Sequence, residues 1–205
     1  MTRCALDRIY DGFAETYEAN RGLFDMSAIF ASFWSSLVQE RGCLLDLGCG
    51  AGEPFSRWFA DRGWSVTGVD FSKRMLELAA KYVPEMRTIQ ADMRDADFPA
   101  ASFDAVAAIY SLFHVPSCDQ PALFVKIRRW LRPQGKLLFT YATKDYTGSE
   151  EFDGCKEFMG QQLYYSHRSP AALRSMLDHA GFTVEAAEHR SIGGETFLWV
   201  RAGQQ

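Results

Sequence analysis

The chain has 205 residues, 47% of them hydrophobic and 23% charged, and its 22 Lys and Arg against 26 Asp and Glu leave a formal net charge of -4. That length suits one domain able to bury roughly 70% of the unfolded chain's surface. The acidic balance offers no general field for nucleic acid, and no run approaches the ~20 apolar residues of a membrane span. Five cysteines, at 4, 43, 49, 118 and 155, show no Cys-x-x-Cys spacing, so reduced thiols, a cytoplasmic location and no metal site are expected.

Taken in order, Tyr10, Phe13 and Tyr17 recur at helical spacing across 5–19 and predict a helix with an aromatic face. From 25 to 40, Ile29, Phe30, Phe33, Trp34, Leu37 and Val38 recur at three and four, which predicts an amphipathic helix. An apolar strand through Leu44 and Leu47 then stops at Gly48, Gly50 and Gly52. Glycines there let the chain bend sharply and let a ligand approach the backbone, with a helix following near 54–62 and ending at Gly63. Strand and helix alternate at 65–69, 72–82, 86–90, 103–113, 119–131 and 136–142, which sets the class as α/β with a parallel sheet and right-handed crossovers. Lys126, Arg128 and Arg129 read as a solvated helix face.

Residues 143–160 are polar and punctuated by glycine, with isolated aromatics such as Tyr146 and Phe152, and are expected to form a partly ordered lid. A short extended segment at 163–167 follows. Ser169 and Pro170 open a helix closed by Gly181. Strands at 182–190 and 195–201 join through Gly193 and Gly194. The expected organisation is a helical cover at 1–41, a core at 42–142, an excursion at 143–168, and a terminal helix and hairpin at 169–205.

Asp46-Leu47-Gly48-Cys49-Gly50-Ala51-Gly52 resembles the first motif of the class I S-adenosylmethionine-dependent methyltransferases. Further stretches resemble the same family in order: Val69-Asp70-Phe71, Gln90-Ala91-Asp92-Met93, Ser102-Phe103-Asp104-Ala105-Val106 and Arg132-Pro133-Gln134-Gly135. The resemblance implies a Rossmann-like sandwich with a seven-stranded, mostly parallel sheet, an antiparallel C-terminal strand and an N-terminal helical cover. It implies S-adenosylmethionine as cofactor. Asp70 would hold the ribose hydroxyls, Asp92 and Met93 the adenine, and Asp46 would support the glycine turn of Gly48, Gly50 and Gly52 and the cofactor's ammonium end. Phe71, Met75 and Tyr110 would line the cofactor, with Tyr10 and Tyr17 over its methionine end.

The family resemblance also implies a small-molecule acceptor, with neither nucleic acid nor membrane as partner, and a monomer or homodimer. Phe113, Tyr164 and Tyr165 either line the acceptor pocket or pack the core. His114 and His167 are candidate bases should the acceptor be a phenol or alcohol, and otherwise wall residues. Two other readings stay open. One is a cofactor-binding module or partner subunit without turnover. The other is a nicotinamide oxidoreductase, since Asp70 lies about twenty residues beyond the glycines, although Glu53 stands where that fingerprint's last glycine belongs.

Overall fold

A computed structural model describes residues 4–19, 25–158 and 160–204, without the side chains at 4–7, 15 and 17. Its helices are α1 (Cys4–Ala19), α2 (Ser27–Trp34), α3 (Phe55–Ala60), α4 (Lys73–Tyr82), α5 (Gln120–Trp130), α6 (Lys144–Thr147) and α7 (Pro170–His179). The strands are β1 (Cys43–Leu47), β2 (Ser65–Asp70), β3 (Arg87–Gln90), β4 (Phe103–Ala108), β5 (Leu131–Tyr141), β6 (Phe152–Phe158), β7 (Gln161–His167), β8 (Phe182–Ile192) and β9 (Glu195–Gln204). Seven strands form one sheet in the order β3-β2-β1-β4-β5-β9-β8. The neighbours from β3 to β5 are parallel, and β9 runs antiparallel to both β5 and β8. Strand order reverses between β1 and β4, where open sheets of this kind bind ligands beyond the carboxyl ends.

Alternation along the strands divides the core between two faces. Leu45, Val106 and Phe139 pack on one side with Trp130 and Ile127 of α5, while Leu44, Ala105 and Leu138 face Phe30 and Phe33 of α2 and Phe59 of α3. All six residues of β4 are buried, as a strand covered on both faces requires. Each fully buried Phe contributes roughly 1.5–3 kcal/mol to this packing. Ser72 caps α4 by accepting the Met75 N–H at 3.1 Å, and Ser169 caps α7 by accepting that of Ala172 at 3.3 Å.

Three expectations need correction. The helix expected over 25–40 stops at Trp34, where the Ser35 and Ser36 hydroxyls donate to Ala31 O (2.8 Å) and Phe33 O (2.6 Å) and so satisfy carbonyls at the helix end. The strand expected over 103–113 ends at Ala108. Beyond it Tyr110 takes a left-handed backbone with φ 54° and donates its N–H to Thr140 Oγ1 at 2.6 Å, before a 3-10 turn at Leu112–His114. The described residues of 143–160 are more regular than the partly ordered segment expected. They hold α6 and β6, and β6 pairs antiparallel with β7 as a separate two-stranded sheet. No helix among the described residues is long and apolar enough to cross a membrane.

Candidate active site

The carboxyl ends of β1 and β2 meet at the glycine turn. Gly48, Gly50 and Gly52 all have left-handed backbones, with φ of 75°, 53° and 80°. A Cβ at Gly48 would lie 2.3 Å from Ser111 Cβ, and one at Gly52 would lie 2.8 Å from Val83 Cγ2, whereas nothing stands within 4 Å of one at Gly50. Two of the glycines therefore answer to packing, and the third leaves bare backbone facing open space. The Gly50 N–H donates to Asp70 Oδ2 at 2.8 Å, and the Ser72 N–H donates to Asp70 Oδ1 at 2.8 Å. The Phe71 N–H also reaches this carboxylate, which has about four acceptor positions, so one is left for a further donor.

Burial pushes the Asp70 carboxyl up to about 6, although the backbone donors at Ser72 and Gly50 pull the other way. Asp46, near the end of β1, is also buried and accepts the Ser56 hydroxyl at 2.7 Å, and desolvation raises it to about 7. Asp46 lines a cavity with Gly48, Gly52, Glu53, Pro54 and Tyr110. Both values exceed the ~3.9 of an unfolded aspartate, so the folded chain binds more protons from about pH 4 to 7. The stabilising contribution of these groups is complete below that window and is lost as pH rises through it. Asp46→Asn keeps an acceptor for Ser56 and is expected to match the parent near pH 4 and to exceed it by on the order of 1–3 kcal/mol at pH 8. Urea melts of both proteins at the two pH values check this.

Helix α1 covers the turn. Asp11 Oδ1 accepts the Ser72 hydroxyl at 2.6 Å and the Arg74 N–H at 3.2 Å, and Phe13 is buried in a group that includes Met75 and Tyr165. Tyr10 packs edge-on against Phe71, with centroids 5.5 Å apart, and its hydroxyl lies 2.7 Å from His114 Nε2. His114 Nδ1 lies 2.6 Å from Tyr164 O. A carbonyl only accepts, so Nδ1 carries the hydrogen and Nε2 accepts from Tyr10. Desolvation lowers the imidazole to about 4 and raises the Tyr10 phenol, so the pair is neutral. The side chain of Tyr17 lies outside the described residues.

Strand alternation separates two neighbouring tyrosines. Tyr165 points inward, stacks on Phe113 at 5.3 Å and places its hydroxyl 3.0 Å from that of Tyr146. Tyr164 points the other way, donates its hydroxyl to Asp153 Oδ1 at 3.0 Å and gives the site only its carbonyl, which corrects its assignment to the pocket wall. Tyr110 packs on Phe197 (5.4 Å) and Trp199 (5.7 Å). The structure does not bring His167 to this group. It is buried at the base of the β6–β7 hairpin, stacked with Phe152, its Nε2 2.7 Å from Thr147 Oγ1 and its Nδ1 3.2 Å from Arg168 O. Those contacts and the burial that lowers its pKa describe a wall residue.

At the third strand end, Arg94 holds both oxygens of Asp92, through Nε to Oδ1 at 3.0 Å and a second nitrogen to Oδ2 at 2.8 Å, and also reaches Asp119 at 2.8 Å. Any adenine contact by Asp92 would share the carboxylate with this pair. Met93 is buried beneath the glycine turn, its Cε 3.4 Å from where a Gly48 Cβ would stand. Asp11 and Glu195 are polar residues of this region that the motifs do not mark. Asp11 hides within an aromatic helix, and the only signal for Glu195 is its place two residues before Phe197 on an alternating strand.

Residues 44–135 match the family described as a methyltransferase domain, and they contain the glycine turn, Asp70, Asp92 and His114. That match, over a little under half of the chain, agrees with the resemblance of the glycine turn and the motifs after it to the class I S-adenosylmethionine-dependent methyltransferases. The residues present fit the S-adenosylmethionine that the resemblance implies: a bare glycine backbone beside a carboxylate that can accept a further donor. A Bacillus subtilis protein, YqeM, whose methyltransferase name is itself provisional, is 34% identical over 140 residues, 64% of this chain and 54% of its own length. Phosphoethanolamine N-methyltransferase 1 of Arabidopsis thaliana is 33% identical over 153 residues, covering 72% of this chain and 30% of that one. The chain thus spans about half the length of the first curated relative and under a third of the second. Among solved structures, the 1,6-didemethyltoxoflavin-N1-methyltransferase of Burkholderia thailandensis, with bound S-adenosylhomocysteine, superposes with a TM-score of 0.73 at 20% identity, covering 96% of this chain and 87% of that one, a likeness of fold.

Proposed function

We propose that this chain transfers a methyl group from S-adenosylmethionine to a small-molecule acceptor. The observation that carries the reading is the Gly50–Asp70 junction, bare backbone and a carboxylate bonded by backbone N–H groups at adjacent strand ends. The bound cofactor supplies an electrophilic methyl group on a sulfonium. Asp70 accepts from the ribose hydroxyls, and charge-assisted bonds of this kind are worth about 1.5–3 kcal/mol. The Gly48–Gly52 turn takes the methionine end, with Asp46 beneath it, and Phe71, Met75, Asp92 and Met93 surround the nucleoside.

The other residues exclude water and align the acceptor, which is most of what an in-line displacement on carbon asks of a protein. Tyr10, touching Phe71 on one side and His114 on the other, spans the two ligand regions. With its lone pair engaged and its pKa near 4, His114 positions Tyr10 and takes no proton itself. Phe113, Tyr165 and Tyr110 wall the acceptor region. The small-molecule class agrees with the names of relatives, phosphoethanolamine and didemethyltoxoflavin among them.

Calorimetric titration with S-adenosylmethionine, S-adenosylhomocysteine and NAD in parallel tests the reading. Micromolar binding of the first two and none of NAD is expected, followed by methyl transfer to members of a small-molecule panel. Binding of NAD alone overturns it. Tight cofactor binding with no transfer to any acceptor class would instead leave a binding module.

A further inference from the structure

Glu195, Phe197 and Trp199 alternate onto one face of β9. Phe197 sits 4.5 Å from the Tyr146 ring, 5.0 Å from Phe113 and 5.4 Å from Tyr110, centroid to centroid. The last residue of β5, Tyr141, pairs with Leu198, so the antiparallel β9 begins beyond the carboxyl edge of the sheet and carries Glu195 to the ligand side. The carboxylate there is half-buried and faces the Tyr146 hydroxyl, with the phenols of Tyr10, Tyr110 and Tyr165 within its field.

Lys156, on the inner face of β6, is the cation facing this group. Its Nζ lies 3.8 Å over the Tyr146 ring and donates to the Tyr146 carbonyl. It eases the charge on Glu195 without pairing with it, and among the described residues no cationic group stands at ion-pair distance from that carboxylate. A neutral phenol or alcohol bound here would leave a desolvated carboxylate without a counter-charge, which is costly. A cation would find that charge, with the partly exposed ring of Tyr110 beside it.

We propose that the acceptor is an amine, held as its cation by the Glu195 carboxylate beside the partly exposed ring of Tyr110. The inference rests on the methyltransferase reading and narrows its substrate class. Nitrogen must be neutral when it attacks, and Glu195 is the base placed to take its proton.

The probe is choline, which cannot lose a proton from nitrogen, set against its neutral isostere 3,3-dimethylbutan-1-ol, both titrated calorimetrically into protein saturated with S-adenosylhomocysteine. Choline is expected to bind about tenfold tighter or more. Glu195→Gln should weaken choline about tenfold and leave the isostere and S-adenosylhomocysteine unmoved, while Glu195→Asp should stay within about threefold of the parent. Lys156→Met, by removing the competing cation, should strengthen choline binding. Equal affinity for choline and the isostere, or undiminished choline binding by Glu195→Gln, overturns the inference while the methyltransferase reading stands. Failure of the parent protein to bind S-adenosylhomocysteine overturns both.

Discussion

Asp70→Ala is expected to weaken S-adenosylmethionine binding at least about tenfold and to lower the stability of the ligand-free protein. The affinity falls because charge-assisted bonds to the ribose hydroxyls, about 1.5–3 kcal/mol each, lose their acceptor. The stability falls because the Gly50 and Ser72 N–H groups lose the partner that now meets both at 2.8 Å, and an unsatisfied buried donor costs about 1–3 kcal/mol. A carboxyl raised to about 6 adds a pH signature. Affinity in the parent should decline as pH drops from 7 to 5 and Asp70 gains its proton, and the decline should be shallower in Asp70→Asn, where Asp46 alone still titrates. Titrations at the two pH values, with thermal melts of each variant, measure both effects; unchanged cofactor binding by folded Asp70→Ala would remove this residue from the site.

Gly48→Ala carries the largest expected cost to folding. Its backbone sits at φ 75°, and the new Cβ would stand 2.3 Å from Ser111 Cβ. Ser111 cannot simply turn away, since its hydroxyl donates to Leu47 O at 2.6 Å inside the core. Backbone strain and the forced shift together are expected to cost about 2–4 kcal/mol, a fall in melting temperature of about 5–15 °C for a chain of this size. Gly50→Ala should cost only about 1 kcal/mol, because the strain is alike but nothing is struck. Its effect should fall on cofactor affinity, where an added methyl group stands in the approach. Melts and titrations of the two variants should therefore rank them in opposite orders. A Gly48→Ala protein that melts with the parent would remove the steric account of this turn.

The sheet was readable because apolar runs, glycine turns and caps agree along the chain from Leu44 to Tyr141, and local chemistry decides each. Ser72, Ser169 and Gly63 mark boundaries that hold to within a few residues. Reading failed where a long-range contact decides. The β6–β7 hairpin has a polar outer face carrying Asp153, Cys155 and Glu157, so its sequence looks like loop, and only the inner partners Tyr165 and His167 betray pairing. Val38, exposed at 66%, resembled a helix face although α2 had already ended. Within the candidate site, the strand ends point to Asp46 and Asp70, and both carboxyls lie at the glycine turn. The inward turn of Tyr165 and outward turn of Tyr164 depended on a register that no motif records. Glu195 reaches the site only because β9 reverses direction at the edge of the sheet.

Tyr10 and Asp11 are adjacent on α1 yet tie it to opposite sides of the site, to His114 and to Ser72. Lifting the helix to admit a ligand breaks both bonds and draws Phe13 out of its buried group. Opening that helix is then a partial unfolding of the amino-terminal turns, a local event that lies below global unfolding in free energy. Amide hydrogens of α1 should exchange faster than those of β4 in the free protein and slow selectively once S-adenosylhomocysteine is bound, so that solvent exchange in one helix counts how often the site is open.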